Sequence, residues 1–147
     1  MAKLSINVSE SENKPQFHFF CINTSLNDYH FCWALNEALQ LNLTRIKDVS
    51  SNESSMQSFS VFQDATTNPV LSYSLLALKS ENGLLIKDLT GFDFLLSLDG
   101  KINKKEIEKL QTTIAMIKNV LLITNLENKK TKTTTITDLS YLMEMIG

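Results

Sequence analysis

Two histidines and two cysteines fall within residues 18–32, as His18-x-x-Cys21 and His30-x-Cys32. Imidazole nitrogens and thiolate sulfurs are the donors a zinc ion takes, and four of them would complete a tetrahedral shell. Spacing argues against that outcome. On a strand, positions i and i+3 point to opposite faces, so His18 and Cys21 diverge; on a helix, positions i and i+2 are about 200° apart, so His30 and Cys32 diverge too. The expectation is a core thiol at Cys32, a half-buried Cys21, two surface or rim histidines, and neither metal nor cofactor.

Covalent catalysis would need a Ser, Cys or Thr within reach of a base, and His18 and His30 are the two imidazoles available. No G-x-S-x-G elbow accompanies them. With glycines at 83, 91, 100 and 147, neither a P-loop nor a dinucleotide fingerprint can be written. The carboxylates are scattered; Asp88 and Asp93 are the pair near a sharp bend, in KDLTGFDF. A solvated turn accounts for Asp88. Asp93, between two phenylalanines on a strand, reads as outward-facing in preference to a buried acid held by backbone donors. A small hydrolase or metal enzyme using His18 or His30 is the least supported reading.

Charge is the stronger signal. The chain of 147 residues is formally −2, yet residues 101–132 hold eight lysines against Glu106, Glu108 and Glu127. Phosphate contact depends on a local patch rather than on net charge. The plain alternative is that these lysines only solubilise a helix face.

The elements that must position these groups follow from periodicity. Residues 1–15 read as an N-terminal arm, 16–126 as one α+β domain, and 127–147 as a basic tract followed by a C-terminal docking helix. QFHFFCINT, 16–24, is aromatic and β-prone. A helix is predicted from Leu26 to Leu39, capped by Ser25, with Asp28 suited to its positive end. Phe31, Cys32, Leu35, Ala38 and Leu39 form its apolar stripe, flanked by Tyr29 and Trp33. Strands are predicted at 43–49, 56–63, 70–78, 84–86 and 92–98, with Asn82-Gly83 supplying a hairpin turn. A second helix spans 103–118, with Asn103 and Glu106 as an N-x-x-E box and Ile107, Leu110, Ile114, Ile117 and Leu121 at helical spacing. NVLLITNL is more strand-like. Asp138 or Thr137 caps a last helix bearing Leu139, Leu142, Met143 and Ile146.

Composition sets outer bounds. The chain is 43% hydrophobic and 20% charged, enough for one full core and outside the disordered range. The start, MAKLSINVSE, has no apolar h-region, and no apolar run reaches about 18 residues. A cytoplasmic protein with two free thiols is expected.

Two stretches resemble the bacterial family named for its IPExxxVDY pattern. In Leu85-Ile86-Lys87-Asp88-Leu89-Thr90-Gly91-Phe92-Asp93-Phe94, Ile86 and Asp93 match outright. Asp88 stands for the glutamate, Phe92 for valine and Phe94 for tyrosine, whereas Lys87 departs from the proline. Asp28-Tyr29-His30-Phe31-Cys32-Trp33-Ala34-Leu35-Asn36 is similar to the family's D-Y-x-x-x-W-x-L-N stretch. The resemblance covers residues 16–126. It implies no assigned activity; it implies a protein encoded near a ribonuclease III gene and carried as an additional large-subunit ribosomal protein in one bacterial phylum.

The sequence-based expectation is therefore a mainly antiparallel sheet with one long helix packed on a face and a second, lysine-rich helix. The function expected is non-enzymatic: peripheral association with the ribosome, contacting ribosomal RNA and ribosomal proteins. Lys101, Lys104, Lys105, Lys109, Lys129, Lys130 and Lys132 would meet phosphate, with no membrane and no small-molecule substrate. The alternative is a cytoplasmic protein-binding module or homodimer, joined through a strand edge, with no role for nucleic acid.

Overall fold

The computed structural model describes residues 16–50, 58–80, 83–86, 89, 91–126 and 133–146. Its centre is a six-stranded antiparallel sheet. The aromatic run predicted to be a strand forms β1, Phe17–Thr24, and its alternation divides the core. Phe20 and Ile22 pack on one face; Phe19 and Cys21 pack on the other.

β1 leads into helix α1, Asp28–Leu39. The helix starts two residues later than its sequence promised, and Asn27, not Ser25, caps it: Asn27 Oδ1 accepts the His30 N–H at 2.9 Å. Leu26 is kept out of the helix because its N–H donates to Thr24 Oγ1 at 3.2 Å, while the Ser25 N–H goes to the Asn119 carbonyl. At the far end Gln40 adopts φ 55, and its N–H satisfies the Asn36 carbonyl.

The predicted strand over 43–49 is broken. β2 is Thr44–Arg45 and β3 is Val49–Ser50. Between Arg45, opposite Phe62, and Val49, opposite Phe59, four steps of chain face three, so one extra residue interrupts the pairing, and the Arg45–Asp48 ion pair spans the interruption. The strand expected over 56–63 divides as well. β4, Ser58–Phe59, pairs with β3, whereas β5, Val61–Asp64, pairs with β2 and with β6, Leu71–Ala77. A small ribbon follows, β7 at Lys79–Ser80 against β8 at Gly83–Leu84; Asn82 lies outside the described residues, but the hairpin sits where the Asn-Gly pair placed it.

β9 is Phe94–Gly100, two residues beyond its predicted start. It ends at Gly100 with φ +140, where a Cβ would stand 2.0 Å from the Val70 carbonyl oxygen. Glycine alone permits that approach. Helix α2, Lys104–Ala115, follows, with Asn103 Oδ1 accepting the Glu106 N–H at 2.8 Å. It stops three residues short of the predicted end, because the chain must reverse through Asn119, at φ 75, into β10, Val120–Asn125. Leu121 therefore belongs to β10 and is exposed, not to the helical stripe. Helix α3, Thr133–Ile146, begins several residues ahead of the Asp138 or Thr137 cap. Burial of Leu139 and Met143 against the Phe19 and Cys21 face overrides the weak helix propensity of the threonine run.

The strand order is β10-β1-β9-β6-β5-β2, every neighbouring pair antiparallel. α1 and α2 share one core with Phe20, Ile22, Leu96 and Leu98. α3, Leu89 and Phe92 share the other with Phe19, Cys21, Leu76 and Leu95. The expected α+β architecture holds, and both faces of the sheet are covered.

Candidate functional site

α2 is held down by Ile107, Leu110 and Ile114, all buried. Its outward side carries Lys104, Lys105 and Lys109, and Lys101 precedes it; all four are exposed. Lys105 and Lys109, four residues apart, are neighbours on one ridge. Among the described residues, no carboxylate lies within ion-pair distance of any of these four lysines. Glu106 and Glu108 are interleaved with them and also exposed, so they dilute the positive field. Lys129, Lys130 and Lys132 lie outside the described residues. Lys118 is exposed beyond the opposite end of the helix.

The lysines of α2 run against the helix dipole, while Glu106 in the same first turn runs with it. Lys104 and Lys105 occupy the first turn, where the helix is already positive, and the last turn has no basic residue. Among the other described cations, exposed Lys47 and Lys118 likewise have no carboxylate within ion-pair distance, whereas Arg45 and Lys79 are paired. Arg45 donates to both oxygens of Asp48, at 3.0 and 3.1 Å, and to the Tyr29 hydroxyl at 2.7 Å. Lys79 Nζ lies 3.2 Å from Asp93.

These two ion pairs face an open cleft of about 400 Å³ at the end of the sheet where β1 meets α1. Ser58, Ser60 and Ser80 contribute hydroxyls and Phe59 and Phe94 apolar surface, but no histidine lines it. Asp93 is not the outward strand residue expected. It occupies the bend before β9, half-buried, with Oδ2 accepting the Thr24 N–H at 3.0 Å and Oδ1 paired with Lys79. A local i, i+2 pattern could not show that β1 supplies a donor there. Asp88 lies outside the described residues.

The four metal-like side chains do not converge. Cys21 and Cys32, neither of them in a disulfide, are buried on opposite faces of the sheet, His30 is exposed on α1, and His18 is half-buried on β1. Cys21 is wholly enclosed instead of half-buried. Burial pushes the Cys32 thiol up to about 11, and the charge of Asp28 adds to the effect.

One charged residue of structural weight was not singled out from sequence. Asp64, only 4% exposed, closes β5. Burial pushes its carboxyl upward, but hydrogen bonds from the Thr67 side chain and from the N–H groups of Asn42, Thr67 and Thr66 outweigh that, leaving it well below the usual carboxylate range. The Asp-x-Thr-Thr spacing was the available signal, since an Asx-turn uses it.

Neither a protein-family model nor a curated protein matches the chain, so the family resemblance rests on its motif residues alone. No helix of the described residues is long and apolar enough to cross a membrane.

Proposed function

We propose that the chain is a non-enzymatic, ribosome-associated protein that touches ribosomal RNA with Lys101, Lys104, Lys105 and Lys109, as a peripheral large-subunit component of the kind the IPExxxVDY resemblance implies. One observation carries this reading: Lys104 and Lys105, without an ion-pair partner among the described residues, stand in the positive first turn of α2, and its last turn holds no basic residue. Each such lysine costs the helix a few tenths of a kcal/mol. A lysine kept for solubility would do better in the last turn. A phosphate-binding lysine gains from the first, where helix and ammonium attract the same anion.

Ribosomes sedimented at low salt are expected to carry the chain down, and rising salt to release it. Four phosphate contacts give a slope of log affinity against log salt of about −3. The Lys104→Glu/Lys105→Glu chain should stay in the supernatant; unchanged co-sedimentation overturns the proposal.

A second reading, a protein-binding module or homodimer without RNA, is favoured by the sheet edge. β10 is an outer strand, and Met116, Leu121 and Leu122 around it are exposed. Gln111 Nε2 donates to the Ile123 carbonyl at 3.4 Å and closes part of that edge. Salt-insensitive self-association without bound RNA would support this reading.

A further inference from the structure

The other outward helix face has the opposite character. Tyr29, Trp33 and Glu37 succeed one another at four-residue steps along α1 and so form a single ridge. Tyr29 is 60% exposed and Trp33 65%, the latter being the chain's one tryptophan. Tyr29 touches the core with one edge, its ring centroid 6.0 Å from that of Phe62, but Phe31, Cys32 and Leu35 fill the buried side of the helix and the core does not explain Trp33. α1 carries Asp28 and Glu37 and no lysine or arginine. Trp and Tyr on a rigid helix are the residue types that dominate binding surfaces. Aromatic faces flanked by carboxylates attract a cation twice, through the ring quadrupole and through charge.

The chain already makes one such contact with itself. The Arg45 guanidinium stands 5.6 Å from the Tyr29 ring centroid, its charge balanced by Asp48. Trp33 and Glu37, one and two turns further on, have no cation against them among the described residues.

We infer that the Tyr29-Trp33-Glu37 ridge docks a lysine- or arginine-rich peptide segment of a protein partner. Charge complementarity selects this occupant: phosphate would be repelled by Glu37, the carboxylate on this ridge, whereas a basic side chain laid across Trp33 meets both an indole face and that carboxylate. The inference rests on the ribosome-associated reading only for the source of the peptide, the basic extension of a neighbouring ribosomal protein. α1 and α2 cover the same face of the sheet, so an acidic aromatic ridge and a basic ridge lie in one layer, suited to a site where RNA and a basic protein segment meet.

The test uses the full chain at low salt with labelled octa-arginine, and octa-glutamate and octa-uridine as controls. Because Trp33 is the single tryptophan, its emission reports the site directly. Octa-arginine is expected to bind saturably and quench that emission. Trp33→Ala and Glu37→Lys are each expected to weaken binding about tenfold, measured by anisotropy of the labelled peptide. Both side chains are exposed, so unchanged circular dichroism melts would separate this loss from misfolding. Unchanged octa-arginine affinity in both variants overturns the inference. So does quenching by octa-uridine in place of octa-arginine, since that would make the ridge an RNA-stacking surface. Peptide binding retained by the Lys104→Glu/Lys105→Glu chain supports the inference whether or not that variant leaves the ribosome, which keeps its fate apart from that of the proposed function.

Discussion

Asp64 accepts the Asn42 N–H at 2.8 Å, tying the end of β5 to the loop by which the chain leaves α1. The same carboxylate accepts the N–H groups of Thr66 and Thr67, each at 3.0 Å. Asp64→Asn removes the charge behind these bonds and is expected to cost about 2 kcal/mol, read from urea unfolding at pH 7. A carboxyl held below its unfolded-state value of about 3.9 contributes fully above that pH and loses its contribution as pH falls further. The stability gap between wild type and variant should therefore narrow steadily below about pH 4. A gap that is constant with pH would remove Asp64 from the acid response.

Gly100→Ala combines a backbone at φ +140 with a Cβ placed 2.0 Å from the Val70 oxygen. Strain and overpacking together are expected to cost about 3 kcal/mol, seen as a lowered Tm. Gly91 is a built-in control, since nothing lies within 4 Å of a Cβ added there.

Charge reversal on α2 should uncouple stability from binding. Lys104→Glu and Lys105→Glu place carboxylates at the positive end of the helix, so each is expected to leave the melting temperature unchanged or to raise stability by a few tenths of a kcal/mol. Loss of ribosome co-sedimentation without loss of Tm is the expected pair of results.

Thiol chemistry gives a fourth check. Cys32, pushed up to about 11, remains a thiol at pH 8, and Cys21 is enclosed on the opposite side of the sheet. Iodoacetamide at pH 8 should label neither residue appreciably in the native chain and both in urea.

Much of this fold could be read from short-range pattern. The Asn103 cap needs a residue three places on; the 80–83 hairpin needs two strands and a tight turn. What escaped reading depends on distant partners. Ser25 and Asn27 are both good caps, and the choice between them was made by Thr24 and Asn119, the latter far along the chain. The 43–49 alternation looked continuous, but one residue more than its partner strand offers lies between Arg45 and Val49 and interrupts it. Asp93 looked outward until β1 supplied the Thr24 N–H. For the candidate site, the lysines were visible as composition, whereas their lack of ion-pair partners and their position against the dipole needed coordinates. Tyr29 and Trp33 were seen only as flanks of a stripe, since periodicity says which side of a helix is buried and not what its open side meets.

The placement of β1 between β9 and β10 has a consequence during synthesis. Its register partners run from Phe94 to Asp99 on one side and from Val120 to Asn125 on the other. While the chain is being made, the FHFFCIN run must wait, unmatched, until most of the polypeptide has left the exit tunnel. Such delayed long-range pairing is slow and leaves a sticky segment open to other nascent chains. Yield in a cell should therefore depend on chaperone supply and growth temperature more than the finished protein's stability would indicate.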